Sequence, residues 1–418
     1  MVAAYAVGRL PPRWAAVAVL AGCFILLGVA LHAPPDSSND WGRYAWDGRV
    51  QLHGIDPYRY APDSPALAGL RAGFVHTSAV CGVPRPATSC YLVARVGVPT
   101  IYPPVAQALF TTVEAAAGQT ARPRPFQILG AVAVVSVTAV LLRRSSTPAA
   151  AALWAWCPLP VIQYANNAHI DAVGILFGIL GLTAAARRHT RTAPVSGRGA
   201  VHPKRPRPWA AVLAAGGWVG AGAATKVFPV LLLPSLTGAR PARLVRAAGA
   251  AAAVVGLSYL PHLLAVGPAV AGYLPGYLHE EGYVDGQRFH VLAWFVHGSP
   301  ATVVAGVLLV VAAVAVAVTT DPAHPERSAV LLVGVFLLVT TPTYPWYGGL
   351  LVAVAALADR PRWIVVALAA VPTYGAASLG STIDTTGRLA YTAAAAVVIA
   401  VPLLRSLAGR ARPVAAGH

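Results

Sequence analysis

The chain has 418 residues, 57% of them hydrophobic and 11% charged, with a mean hydropathy of +0.62. A soluble domain carries about 25% charged residues, so an ordinary cytosolic enzyme is excluded, and disorder is excluded because disordered chains are poor in apolar residues. The formal net charge is +17, but the basic residues sit in short stretches between apolar runs and not on one aromatic-interleaved face. That is a topology signal and not a nucleic-acid footprint.

A membrane span needs about 20 mostly apolar residues. The first such run, 14–32, follows Arg9 and Arg13. A signal peptide also starts with positive charge, but this run is long for one and is read as an uncleaved first helix. Further runs lie at 126–142, 148–165, 169–186, 209–223, 227–239, 247–266, 299–319, 328–343, 347–358, 362–379 and 388–405. The stretches between them sort by charge. Arg143 and Arg144 form one basic turn, and 187–208 holds Arg187, Arg188, Arg191, Arg198, Lys204, Arg205 and Arg207 without an acid. Arg240, Arg243 and Arg246 form another, Arg360 and Arg362 another, and Arg405, Arg410 and Arg412 close the chain. The positive-inside rule makes these stretches cytoplasmic.

Most acids fall on the opposite side: Asp36, Asp40, Asp47, Asp56, Asp63, Asp171, Glu280, Glu281, Asp285 and Asp384. With both termini inside, the runs predict an all-α polytopic membrane protein of about 12 transmembrane helices (11–13), a single domain over 1–418 in the plasma membrane. Two external loops are large, 33–101 and 267–298. Residues 102–118 are apolar enough to be helical. Were they to span, every later basic loop would flip outside, so they are read as a re-entrant or interfacial helix on the outer face. No internal repeat stands out. Of the four cysteines, Cys23 and Cys157 lie in apolar runs and read as buried thiols. Cys81 and Cys90, nine apart in the first external loop, are expected to form a disulfide in an oxidising compartment.

The first external loop opens Ser38-Asn39-Asp40-Trp41-Gly42-Arg43-Tyr44-Ala45-Trp46-Asp47-Gly48-Arg49. Asp40 lies a few residues past the first span, where a carboxylate at the membrane surface can accept a proton from an attacking hydroxyl. Asp47 follows on the same helical face two turns along. The alternative for each acid is a helix cap or a pair with Arg43 or Arg49. Gly54-Ile55-Asp56-Pro57-Tyr58 reads as a turn, with Asp56 structural, and Tyr102-Pro103-Pro104 starts the interfacial helix. His169 and Asp171, at an outer span end, are two ligands without a third, weak evidence for metal; hydrogen bonding at a helix start explains them equally. Lys226 is one of only two lysines. It lies between two short apolar runs, where an ionisable group is costly and tends to be functional; an ammonium there can hold a lipid phosphate, and a snorkelling structural lysine is the alternative.

In the second external loop, Tyr273, Tyr277, His279, Glu280, Glu281, Tyr283, Asp285, Arg288 and His290 combine groups suited to sugar hydroxyls and to phosphate, although a solvated loop accounts for any one of them. Tyr344-Pro345-Trp346-Tyr347 reads either as an aromatic belt or as a face for a sugar or a prenyl chain. There is no P-loop, no G-x-G-x-x-G opening a helix, no H-E-x-x-H and no C-x-x-C, so nucleotide hydrolysis and zinc have no support. The spans hold almost no acids, which argues against a proton-coupled pump.

The run Asn39-Asp40 through Trp46-Asp47-Gly48 after one span resembles the GT-C superfamily, as do Gly54-x-Asp56-Pro57-Tyr58 and Tyr102-Pro103-Pro104. His169-x-Asp171, Lys226-x-x-Pro229 and Tyr344-Pro345-Trp346-Tyr347 agree. These are integral membrane glycosyltransferases that use polyprenol-phosphate sugars, and the actinobacterial polyprenol-phosphate-mannose enzymes are the most similar. The resemblance implies transfer of a sugar, mannose by analogy, with arabinose or glucose left open, to a cell-envelope glycolipid or glycan on the extracytoplasmic face. It implies Asp40 as the base, with Asp47 in reserve. It implies substrate contacts at Arg43, Tyr44, Tyr58, Tyr102, His169, Asp171, Lys226, Arg288, Tyr344 and Trp346, with Arg388 as a further helper. Asn39-Asp40 departs from the paired acids of many relatives, so neither a metal nor another cofactor is expected. The expected partners are the lipid-linked donor, the acceptor and membrane lipid, with no nucleic acid. A transporter or flippase of lipid-linked sugars is the second reading; it would place paired broken helices and a site at the bilayer midplane, whereas the polar residues here gather in two outer loops. A non-catalytic scaffold, the third, leaves Asp40 and Lys226 without a purpose.

Overall fold

The computed structural model describes residues 2–76, 90–186 and 208–410. Cys81, and with it the expected disulfide, lies outside the described residues, as do Arg412 and the basic residues at 187–207. The described chain is helical apart from a two-residue antiparallel ladder, β1 (Val75–His76) on β2 (Cys90–Tyr91).

A short helix, α1 (Val2–Val7), precedes α2 (Pro12–His32), whose prolines sit at the one place where a helix loses nothing by lacking a donor. In the first loop, α3 (Asp40–Leu52) lies against α4 (Pro104–Ala116), both 13 residues long. At 1.5 Å per residue each is about 20 Å long, too short for the roughly 30 Å hydrocarbon layer. Within 102–118 the short helix α4 buries Gln107, Phe110 and Glu114, with Gln107 and Glu114 meeting Asp47 and Arg49 of α3.

Beyond α5 (Arg124–Arg144), the run at 148–165 does not form one helix. It breaks into α6 (Pro148–Ala155), capped by the Thr147 hydroxyl, the short turn α7 (Pro158–Pro160) and a π-helical turn over Val161–Asn166. Pro158 and Pro160 remove backbone donors here, and single π turns of this kind gather at functional sites. Next come α8 (Asp171–Ala185), α9 (Pro208–Ala223), a 3-10 segment at Phe228–Leu236 containing Pro229 and Pro234, and α10 (Pro241–Val266). Gly216 and Gly220 of α9 face the backbone of Ala247 and Ala251 of α10 so closely that a Cβ would collide, the small-residue contact that lets membrane helices approach. The chain continues through α11 (Leu274–Glu280), α12 (Ser299–Thr319), α13 (Pro325–Thr340) and α14 (Gly349–Leu357). Residues 361–379 form only short pieces, including α15 (Ile364–Leu368) and α16 (Ala370–Tyr374), before α17 (Ile383–Arg410).

Among the described residues, five helices are long and apolar enough to cross a membrane: Pro12–His32, Arg124–Arg144, the run from Pro241, Ser299–Thr319 and the helix from Ile383. Two of the other runs are interrupted by proline, one at Pro158 and Pro160 and one at Pro229 and Pro234. Large apolar side chains face outward on the long helices: Ile25, Val29, Val245, Leu264, Val303 and Val310 are all exposed. Outward apolar faces of this kind suit lipid better than water, and with five helices long and apolar enough to span, the fold is consistent with a polytopic membrane protein.

Candidate active site

Three anchors hold the start of the first loop in place. Asn166 Nδ2 donates to the carbonyls of Ala30, Ala33 and Pro34, and Gln127 Nε2 donates to those of Ala33 and Asn166. Asn167 Oδ1 accepts from the amides of Asp36 and Ser37, while its Nδ2 donates to Ser37 Oγ at 2.6 Å. The two asparagines thus tie the chain just before Asp40 to the π-helical turn. Ala168 follows with φ of +62°, a left-handed conformation costing roughly 1–2 kcal/mol for a residue with a Cβ. Backbone strain of this sort gathers at functional sites, and here it turns His169 inward.

Asp40 begins α3, where the helix dipole favours a carboxylate. Its Oδ2 accepts a hydrogen bond from the Tyr102 hydroxyl at 3.2 Å and lies 3.5 Å from His169 Nδ1. The His169 ring is fully buried, and its face stacks on Trp346 with centroids 4.0 Å apart. Trp346 in turn stacks on Tyr344. Asp171 Oδ2 is 3.4 Å from Lys226 Nζ. The ammonium lies 5.1 Å from the Tyr102 ring centroid and 5.5 Å from that of Tyr347. Asp40, Tyr102, His169, Asp171, Lys226 and Trp346, read from five separate stretches of sequence, therefore form one contiguous cluster.

Burial alone would raise the Asp40 pKa, but the His169 imidazole, the Lys226 ammonium and the Tyr102 hydroxyl outweigh it and hold the carboxylate below its ordinary value. Burial, with the Asp40 charge beside it, pushes the Tyr102 phenol well above its own. At neutral pH the phenol is therefore the donor and the carboxylate the acceptor.

Asp47 has different surroundings. Arg43 Nε donates to its Oδ1 at 3.0 Å, and Thr100 Oγ1 and Gln107 Nε2 donate to its Oδ2 at 2.5 and 3.0 Å. Its side chain keeps 2% of its surface exposed against 22% for Asp40. Arg43 is held further by the Val98 carbonyl. Tyr44 is a core residue stacked on Phe110 at 4.4 Å. Tyr58 donates to the Tyr102 carbonyl at 2.6 Å and so positions the residue that touches Asp40. Asp56 caps the turn by accepting from the Tyr58 amide and also meets His262 Nδ1 of α10 at 2.7 Å.

Arg288 does not reach the cluster directly: its guanidinium is taken by Glu281, Nη2 to Oε2 at 2.5 Å. Tyr344 donates to the other oxygen of Glu281 at 2.8 Å, so Arg288 connects to His169 through Glu281, Tyr344 and Trp346. Arg388 lies over the Trp294 ring, 5.3 Å from its centroid. Sequence reasoning missed Arg95, whose Nε and Nη2 grip Glu280 at 2.7–3.2 Å and clamp the first loop to the second. Its left-handed φ of +52° leaves no mark in an Ala-Arg-Val stretch. Among the described residues no three His, Cys, Asp or Glu side chains are grouped as metal ligands would be.

The sequence model of glycosyltransferase family 87 matches residues 100–342, more than half of the chain. Tyr102, His169, Asp171, Lys226 and Arg288 lie inside the matched segment; Asp40 and Asp47 precede it, and Tyr344 and Trp346 follow it. No curated protein and no solved structure matches the chain.

Proposed function

Because the chain belongs to glycosyltransferase family 87, we propose that the cluster around Asp40 transfers a sugar, mannose in the first instance, from a polyprenyl phosphate to a cell-envelope glycolipid or glycan. The reading sets the chain in the plasma membrane, with its twelve apolar runs as crossings, the proline-broken ones included, and with the cluster on the extracytoplasmic side. The observation that carries it is a partly exposed Asp40 beside His169, held ionised in part by the nearby Lys226 ammonium, which is itself paired with Asp171.

In this mechanism Asp40 takes the proton of the acceptor hydroxyl as its oxygen bonds to the anomeric carbon. The bond from that carbon to the phosphate oxygen breaks, and polyprenyl phosphate leaves with the electron pair. One displacement inverts the anomeric centre. A phosphate is already a good leaving group, so no second carboxylate is required as acid, unlike glycoside hydrolysis. Lys226, held over Tyr102 and Tyr347 and steered by Asp171, offsets the charge gathering on the phosphate. Tyr102 and His169 orient the Asp40 carboxylate. Asp47, saturated by three donors, holds α3 on α4. The flippase alternative has no observation in its favour.

The test is transfer by the purified chain in lipid, supplied in parallel with labelled polyprenyl-phosphate mannose, the corresponding glucose and arabinose lipids, and nucleotide sugars, with an envelope lipid extract as acceptor. Transfer from a polyprenyl-phosphate sugar alone supports the reading. Transfer from a nucleotide sugar, or movement of the lipid across the bilayer without transfer, refutes it.

A further inference from the structure

Beside Asp40 lies a partly open cavity of about 40 Å³, walled by Arg43, Arg95 and Tyr102 of the first loop side and by Tyr273 of the second. At roughly 10–15 Å³ per water, it has room for the reacting end of a molecule and no more. Its charges are already answered. Arg43 is paired with Asp47, and Arg95 is paired with Glu280, whose carboxyl the Arg95 hydrogen bonds hold below its ordinary pKa. The remaining charged wall group, Asp40, is an anion, and Lys226 is not in the wall. With both wall cations paired and Asp40 an anion, the wall favours a neutral group over a phosphate or carboxylate.

What the wall does offer is a paired set of donors and acceptors beside an aromatic face. Arg95 in the wall is 39% exposed and keeps capacity for further hydrogen bonds, and Glu280 behind it holds the guanidinium in place. The Tyr273 hydroxyl is tied to Glu280 at 2.9 Å, which fixes its ring in the wall. Small-molecule sites are built in this way, from an apolar or aromatic surface and a few placed polar groups.

We infer that this cavity seats the acceptor and takes an uncharged sugar end, whose hydroxyl meets Asp40 while Tyr273 and Arg95, both held from behind by Glu280, select it. The inference rests on the transferase reading above and deepens it. It divides the site, with the phosphate of the donor toward Lys226 and the neutral acceptor sugar toward Tyr273.

The test is saturation-transfer NMR on the full chain in nanodiscs. The probes are methyl mannoside, methyl glucoside and methyl arabinofuranoside, set against mannose 6-phosphate and methyl glucuronide. At least one neutral glycoside is expected to bind, with its signal falling fivefold or more in Tyr273→Ala and in Arg95→Ala, while the charged sugars do not bind. The Arg95–Glu280 pair is half exposed and contributes little to stability, so Arg95→Ala keeps its fold. In transfer assays the same variants raise KM for the acceptor and leave that for polyprenyl-phosphate mannose, and the slow hydrolysis of that donor by water, unchanged. Stronger binding of the charged sugars, neutral binding indifferent to both variants, or a rise in donor KM overturns the inference. A wild type that binds neutral glycosides at Tyr273 yet transfers from no polyprenyl-phosphate sugar refutes the transferase mechanism and supports the sugar seat.

Discussion

Replacing Asp47 with Asn separates the two acids that the first loop's helix offers as bases. In the native chain Asp47 is closed from solvent and accepts from Arg43, Thr100 and Gln107, while Arg43 is itself buried with 6% of its surface exposed. An amide at 47 keeps a side-chain oxygen for one or two donors but presents an N–H₂ to the others and leaves the guanidinium without its counter-charge. Breaking a buried pair in this way costs about 3–5 kcal/mol, more than the outright worth of the pair, because a charge is stranded. Asp47→Asn is therefore expected to lower the thermal unfolding midpoint in detergent or nanodiscs by several degrees. The double variant Arg43→Met/Asp47→Leu removes both charges together and should recover most of that loss, since buried pairs replaced by apolar residues are often neutral or better. At saturating acceptor, sugar transfer per folded molecule should stay within about threefold of wild type in the double variant, the loss of Arg43 from the acceptor cavity wall being expected in the acceptor KM. A double variant that folds as well as wild type yet loses transfer a hundredfold or more would make Asp47 the base and refute the assignment.

Transfer that needs ionised Asp40 holds as pH falls through 6 and 5 and is lost only below the ordinary carboxylate range, because the group's pKa is depressed in the folded protein. Tyr102→Phe removes one of the causes of that depression, so the acid limb of kcat should move to higher pH; an unmoved limb would detach Tyr102 from the titrating group. Lys226→Met should cut kcat by roughly 10²–10³, the usual cost of losing one group that stabilises developing charge. Because it also strands the buried Asp171, Lys226→Met/Asp171→Asn is the control, expected to restore the unfolding midpoint and not the rate.

The cost of an ionisable group at membrane depth singled out Lys226, and the resemblance to the GT-C superfamily named Asp40, His169, Asp171 and Trp346 beside it; the structure brings the five together. The seven-residue spacing of Asp40 and Asp47 also gives the right face, since both point toward the segment around Thr100–Gln107. Their roles were not legible. Asp40 stands in the first turn and keeps contact with solvent, and Asp47, two turns on, is sealed by Thr100 and Gln107, residues more than fifty positions away in sequence. The aromatic path from Arg288 through Glu281, Tyr344 and Trp346 to His169 is likewise made by tertiary packing that no local pattern encodes. In the fold, apolar composition located nearly every segment, but hydropathy does not register where proline interrupts one. The run at 148–165 reads as a span and folds as three pieces around Cys157-Pro158-Leu159-Pro160, while 227–239 reads as a span and folds as a nine-residue 3-10 segment between Lys226 and Thr237. Those same breaks bring Lys226 and His169 to the cluster, so the departures from helical regularity are part of how the site is assembled.

One comparison decides whether Asp40 is the base of a transfer from polyprenyl phosphate. Wild type and Asp40→Asn, matched for folding by their unfolding midpoints, are given labelled polyprenyl-phosphate mannose and an envelope lipid extract, and the rate of sugar appearing in the glycolipid fraction is measured. Wild type is expected to transfer, with a fall of at least about 10²-fold, within the range of a lost general base, in a variant that still folds. Equal transfer by the two proteins would contradict that role for Asp40.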